Sequence, residues 1–300
     1  MAATLDISEI QLHKYSDKAE KFYIQNKPQP KSNGKLWQTY RIKPALKKIQ
    51  NRILHEILRE VEYPRYLQGS IKDKKHPRDY LTNCASHTLS RTLTTLDIES
   101  FFDSISYQKV FEMWKYFFKF PDDVSTVLTK LTTYKDFVPQ GAMTSSYIAN
   151  LIFWEFEPDL KEHLERRGFT YTRYVDDITI SSKEYITQKD KYDITTIIYQ
   201  MLLKCGVRPN RKKRKVASNS HRMQVHRVNV NSKKPTLPKM ERNNIRAMVF
   251  QCEQRALIDR TTEDYHKFFH SVSGKVGKLK RLHSSQGTKL FERLNSIRPI

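Results

Sequence analysis

Tyr174-Val175-Asp176-Asp177 sets two adjacent carboxylates between apolar, β-prone runs, with Ile178-Thr179-Ile180 directly after it. Read as the tight turn of a β-hairpin, it holds two negative charges side by side at a strand tip. Charges that close repel unless a cation offsets them. A divalent metal is the economical partner, because hard Mg²⁺ ions held by carboxylates are what in-line phosphoryl transfer uses. Asp97 is the third candidate. It closes the run Thr94-Thr95-Leu96 and precedes Ile98, Phe101 and Phe102, and a carboxylate ending an apolar strand is costly to bury alone. If its strand lies beside the hairpin, Asp97, Asp176 and Asp177 converge and can hold two ions. Taken singly, each has a plainer explanation: Asp97 as a helix cap, the pair as a polar turn.

The elements that must position these residues are mixed. Leu46, Ile49, Ile53, Ile57 and Leu58 recur at helical spacing, as do Val110, Met113, Trp114, Phe117 and Phe118. Val124, Val127, Leu128 and Leu131 predict a helix after Pro121-Asp122. Ile194, Ile197, Ile198, Met201 and Leu202 predict another, ending near Gly206. Thr144-Ser145-Ser146 is expected to cap a helix through Asn150, Leu151 and Ile152. A C-terminal helical region runs from Ile245 to Leu279. Strands are expected at 94–98, on both sides of the paired aspartates, and over Met223 to Asn231, where the alternation changes phase near His226-Arg227. Three strand regions among packed helices predict an α+β fold.

Composition bounds the partners. The formal net charge of +22 predicts a polyanion, nucleic acid or an anionic membrane. No apolar run reaches the ~18 residues of a spanning helix, and Met1 to Ile10 lacks a basic-then-apolar signal pattern. Nucleic acid is therefore the expected partner, with no membrane. Cys84, Cys205 and Cys252 are odd in number and form no C-x-x-C pair. That fits a reducing cytoplasm rather than a disulfide framework or zinc knuckle. His266 and His270 share helical spacing without a third ligand, which reads as surface rather than zinc-binding.

Three blocks then occur in order: Leu96-Asp97-Ile98-Glu99-Ser100-Phe101-Phe102, Pro139-Gln140-Gly141-Ala142-Met143-Thr144-Ser145-Ser146, and Tyr174-Val175-Asp176-Asp177. Together they resemble the A, B and C motifs of reverse transcriptases. Asn210-Arg211-Lys212-Lys213 resembles the lysine-bearing motif D, and Val225 to Asn231 sits where such enzymes have a primer-gripping hairpin. The resemblance implies a right-hand polymerase with a small antiparallel palm sheet flanked by helices. Fingers are expected over 1–92, a palm over 93–235 with a fingers-contributed segment around 107–140, and a helical thumb over 236–300.

The resemblance also implies roles for individual residues. Asp97, Asp176 and Asp177 are the metal ligands, with Ile98 in the same set, for two Mg²⁺ ions that Mn²⁺ can replace. Lys213 is the general acid for departing pyrophosphate, although a basic run such as 208–215 is more often a solvated face. Phe102 is an aromatic gate against the ribose 2′-OH, and Phe101 a core residue. Gln140 and Gly141 contact the incoming dNTP or the template, and the fingers supply cations for the triphosphate, with Lys35, Arg41 and Lys43 as candidates. Lys275 and Lys278, beside an apolar stripe, suit a helical thumb lying along a duplex backbone, and Gly274 and Gly277 either permit close approach to phosphates or only weaken the helix.

Asn83-Cys84-Ala85-Ser86-His87 resembles the Asn-Ala-x-x-His motif of retron reverse transcriptases, with Cys84 in place of Ala. Their Val-Thr-Gly element falls at Val225-His226-Arg227, where only Val225 matches. Asn83, His87, His226 and Arg227 are accordingly expected to bind RNA. Fingers, palm and thumb occupy all 300 residues, as expected of a compact bacterial enzyme. A retron enzyme implies a structured non-coding RNA partner, priming from a guanosine 2′-OH, a branched RNA–DNA product called msDNA, and anti-phage defence with a separate effector protein. Two alternatives stand beside it: an abortive-infection reverse transcriptase, and a non-catalytic RNA-binding scaffold.

Overall fold

The β-prone run that carries Asp97 is the strand Thr92–Asp97 in a computed structural model, which describes residues 1–30, 34, 36–73 and 75–300. Nearly all of its side chains are buried, which suits a run of β-branched and apolar residues. Strands Phe169–Tyr174 and Asp177–Ser182 form the expected hairpin. Tyr174 pairs with Asp177, so Val175 and Asp176 alone make the turn. The second arm pairs antiparallel with Thr92–Asp97 in a register that sets Asp97 opposite Asp177 and Leu96 opposite Ile178. A one-residue slip would turn every side chain to the other face and move Asp97 away from Asp177. Lys215–Ser218 completes a four-stranded sheet, beside Thr92–Asp97.

Two compact units divide the chain. The first comprises Met1–Asn83 and Arg91–Ala217 and contains the whole aspartate hairpin. Helix Pro44–Glu56 buries Leu46, Ile49, Ile53 and Leu54, with proline in its first turn, where the missing N–H costs nothing. Helix Asp122–Thr132 buries Val127, Leu128 and Leu131 and begins with two aspartates, which suit a helix N-terminus. The apolar stripe over 110–118 is not one regular helix. Helix Tyr107–Glu112 passes into a π-helical turn, Met113–Phe117. That wider turn accompanies a packed aromatic group in which Trp114 meets Phe118 at 4.9 Å between ring centroids and Phe118 stacks on Phe120 at 5.8 Å.

Helix Ser145–Leu151 is buried along most of its length, but the expected cap is absent. Thr144 already has helical torsions (φ −86°, ψ −21°) and makes no capping bond, whereas a side-chain cap needs an extended residue. The Ser145 hydroxyl donates instead to the Pro139 carbonyl at 2.7 Å, tying the helix to the preceding block. Helix Gln188–Lys204 does start with a capping box, Thr187 with Asp190, and Gly206 follows its end at φ +76°.

The second unit comprises Cys84–Ser90 and Ser218–Ile300. Its helices are Lys239–Ile258, Glu263–Leu282 and Ser284–Asn295. Gly287 has no room for a side chain, since a Cβ there would meet the Lys280 backbone at 2.2 Å. The phase change near 226 is a two-residue turn between Gln224–Val225 and Val228–Asn229, with His226 at φ +49° and Arg227 at φ +63°. No helix among the described residues is long and apolar enough to cross a membrane.

Candidate active site

Backbone hydrogen bonds lace together the three segments that carry the candidate catalytic residues. The Ile98 amide donates to the Asp176 carbonyl at 3.1 Å, the Asn210 amide to the Asp97 carbonyl at 2.7 Å, and the Glu99 amide to the Arg208 carbonyl at 2.8 Å. The sequence therefore brings residues 97–99, the hairpin tip and the basic segment after Pro209 into one corner of the sheet. Side chains follow. Lys213 Nζ lies 2.8 Å from Asp97 Oδ1, and Asn210 Nδ2 donates to Asp97 Oδ2 at 3.0 Å.

The pairing sets Asp97 opposite Asp177, with Asp176 in the turn beside it, so the three carboxyls are within electrostatic reach of one another. Burial pushes the Asp177 carboxyl up to about 7, and the charges of Asp176 and Asp97 add to the rise, while Lys213 opposes it. The Lys213 ammonium is held above its usual range, first by its hydrogen bond to Asp97, then by the charges of Asp97, Asp176 and Asp177. A site in which a partly buried carboxyl ionises only near neutrality is a site short of positive charge.

Its oxygen donors fit a hard divalent cation. Among the described residues no three His, Cys, Asp or Glu side chains are already gathered as a ligating set. Both Asp97 oxygens are engaged by Lys213 and Asn210, so an ammonium serves as the counter-charge here.

The raised Asp177 carboxyl makes stability depend on pH. Asp177 titrates near 7 when folded and near the ordinary carboxylate range of ~4 when unfolded. Between those limits the folded state holds a proton that the unfolded state lacks, so this group's contribution to stability falls as pH rises and is flat above. Denaturation of metal-free wild type and Asp177→Asn from pH 4 to 8 measures it. The variant gains stability relative to wild type as pH rises to about 7; parallel curves would remove Asp177 from the charged cluster.

The comparisons with known proteins agree with this geometry. Residues 27–237 match the family model described as reverse transcriptase (RNA-dependent DNA polymerase). The retron Se72 reverse transcriptase of Salmonella heidelberg is 36% identical over 281 residues, covering 93% of this chain and 73% of that protein. The chain belongs to the retron reverse transcriptases. It is an RNA-directed DNA polymerase. The retron Ec48 reverse transcriptase of Escherichia coli is also similar, 32% identical over 90% of this chain and 68% of its own length. Among solved structures, telomerase from Candida albicans in complex with a fragment of telomeric RNA matches with a TM-score of 0.51 at 11% identity. That match covers 95% of this chain and 59% of the other, and it supports a mixed helix-and-sheet polymerase fold.

The remaining expected site residues fall into three groups. Near the aspartates, Phe101 is buried and stacks on Phe153 at 5.7 Å, while its neighbour Phe102 is only partly buried. Lys35 lies outside the described residues, and Arg41 is exposed on strand Tyr40–Ile42. That strand touches Gln140, whose carbonyl accepts from the Tyr40 amide at 2.8 Å. Gly141 is required there: its φ is +110° and a Cβ would meet the Tyr40 carbonyl oxygen at 2.5 Å. Trp37, which sequence reasoning did not single out, donates its indole N–H to Gln140 Oε1 at 2.6 Å.

The second group, expected at an RNA surface, is interior. Asn83 and His87 are fully buried. Asn83 Oδ1 accepts from the Thr172 hydroxyl at 2.5 Å, which ties helix Tyr80–Ser86 to the hairpin strand. Burial and the neighbouring His226 push His87 down to about 3. Only Arg227 of the adjoining turn is exposed, and His226 is partly buried and pushed down to about 4. These residues missed the surface because their motif spacing says nothing of which side of the helix is covered.

The third group is on helix Glu263–Leu282. Lys275 Nζ sits 3.1 Å from Met248 Sδ, and Lys278 pairs with Glu241 at 2.9 Å. A Cβ added at Gly274 or Gly277 would meet nothing within 4 Å, so that face of the helix has an open, side-chain-free strip.

Proposed function

We propose that this reverse transcriptase copies part of a structured non-coding RNA into the branched RNA–DNA hybrid msDNA, as one component of an anti-phage retron with a separate effector protein. The observation that carries the catalytic part is the pairing that sets Asp97 opposite Asp177, with Asp176 in the turn beside it and the Lys213 ammonium 2.8 Å from Asp97. Asp97, Asp176 and Asp177, with Ile98 beside them, are the residues that would hold two Mg²⁺ ions. Such ions supply activation of a primer hydroxyl and neutralisation of pyrophosphate charge. Lys213 is protonated throughout the neutral range and is placed to give a proton to the departing pyrophosphate. Phe102, five positions after Asp97 and only partly buried, excludes a ribose 2′-OH. Gln140 and Arg41 orient the dNTP, and Gly141 lets the turn that carries Gln140 approach the strand that carries Arg41.

In this reading, 1–92 forms fingers, 93–235 the palm and 236–300 the thumb. Lys275 and Lys278 contact duplex phosphates, Lys278 exchanging Glu241 for phosphate, and the strip at Gly274 and Gly277 admits the backbone. Arg227 and His226 reach RNA directly, whereas Asn83 and His87 act from the interior by fixing the elements around them.

The test is to purify the protein from cells carrying its own locus and to sequence what comes with it. One small RNA joined through a 2′–5′ branch to a defined complementary DNA is the expected result. Unbranched DNA with no RNA template would overturn the retron product and favour untemplated synthesis.

A further inference from the structure

Val175 has φ +57°. For a β-branched residue the left-handed region is strained, and it persists only where the surroundings impose it. Here it lies in the two-residue turn immediately before Asp177 and beside Asp176. What imposes it is visible on both sides of the turn. From one side comes Arg173, whose side chain is fully buried. Its Nη1 donates to the Val175 carbonyl at 3.0 Å. Its Nε and Nη2 grip Glu157 at 2.6 and 2.8 Å, and Nη2 also donates to the Asn150 carbonyl at 2.9 Å. The Tyr171 hydroxyl donates to the same Glu157 at 2.7 Å.

From the other side comes Gly69. A Cβ there would meet Val175 Cγ2 at 2.8 Å, and Tyr174 Cδ1 and the Val175 nitrogen at 3.0 Å. Asn150 joins the two sides, because its Nδ2 donates to the Gly69 carbonyl at 2.9 Å. The main chain of Arg173 is fixed too: its amide donates to the Tyr66 carbonyl at 2.9 Å, and its carbonyl accepts from the Gln68 amide at 2.8 Å.

We infer that Arg173, oriented by Glu157 and opposed by Gly69, is a positioning residue that sets the Asp176–Asp177 turn in its metal-ready conformation. The inference rests on the reading of those aspartates as the catalytic pair. Stability alone gives little reason for the arrangement. Desolvating two charges offsets much of their attraction, and apolar residues of like volume often serve as well in a core. An apolar residue, however, has no donor for the Val175 carbonyl. Arginine has five N–H groups in a fixed fork, which is enough to hold Glu157, Asn150 and Val175 together, and lysine cannot reproduce that geometry.

The test uses the full-length protein in three forms: Arg173→Lys, Arg173→Met with Glu157→Leu, and Gly69→Ala. Lysine keeps the charge opposite Glu157, the double replacement removes both charges, and Gly69→Ala pushes on the turn without touching the ion pair. Each folded variant is assayed for RNA affinity, for kcat and dNTP KM in primer extension, and for Mn²⁺ binding by electron paramagnetic resonance. The expected result is a kcat lowered roughly 10- to 100-fold, as misplacement by an ångström can cause, with half-saturating Mn²⁺ raised several-fold and RNA affinity and dNTP KM little changed.

Wild-type kcat and Mn²⁺ binding in a folded Arg173 variant would overturn the inference. So would a loss of activity that tracks only the folded fraction, with Mn²⁺ binding intact. If both Arg173 variants fail to fold, Gly69→Ala decides in the same two ways. Failure of the underlying reading is separately visible, because Asp176→Asn would then remain active.

Discussion

Asp176→Asn lowers primer extension on an RNA template by at least about a thousand-fold, while the protein stays folded and binds RNA as before. The expectation follows from which atoms of Asp176 do what. Its carbonyl accepts the Ile98 amide that closes the corner of the sheet, and a side-chain amide leaves that bond in place. Its side chain is only partly buried, so asparagine enters without overpacking. What disappears is one negative charge. That charge raises the Asp177 carboxyl and acts on Lys213, so removing it relieves repulsion in the free protein. Stability at neutral pH is therefore unchanged or slightly higher, as often happens when a strained catalytic group is neutralised. Primer extension with Mg²⁺, a thermal melt and an RNA-binding curve on one preparation test the combination. DNA synthesis within tenfold of wild type would show that Asp176 is not part of the metal site.

The hairpin and its pairing partner were legible because they obey local rules. β-branched and apolar runs announce Thr92–Asp97 and the two arms of the hairpin, and the Asp-Asp pair marks where the turn passes into the second arm. The register of their pairing then sets Asp97 opposite Asp177. Residues whose role depends on chains remote in sequence were not legible. Nothing near Asn210 signals that its side chain reaches Asp97, across 113 positions. Nothing near Trp37 points to Gln140, 103 positions away. Arg173 reads as a polar interruption in a strand, and only the fold shows Glu157, Asn150 and Val175 around its guanidinium. Asn83 and His87 mark the opposite case, in which the motif was seen and its burial was not.

Lys213 carries the second large effect. Lys213→Ala lowers the rate of nucleotide addition by about 10²-fold, the loss ordinary for a general acid. Charge alone would also cost rate, since this ammonium is bonded to Asp97 and opposes the rise of Asp177. Lys213→Arg separates the two roles. Arginine keeps the positive charge but does not give up a proton under turnover conditions. The expected outcome is that nucleotide addition by Lys213→Arg stays within roughly tenfold of the alanine variant, while the Asp177 titration in the metal-free protein returns close to wild type. In the alanine variant that titration moves upward, because the Lys213 charge that opposes its rise is gone. Single-turnover dNTP addition and a pH titration of metal-free stability read the two roles independently. An arginine variant that adds nucleotides at the wild-type rate would reduce Lys213 to a counter-charge for the aspartates.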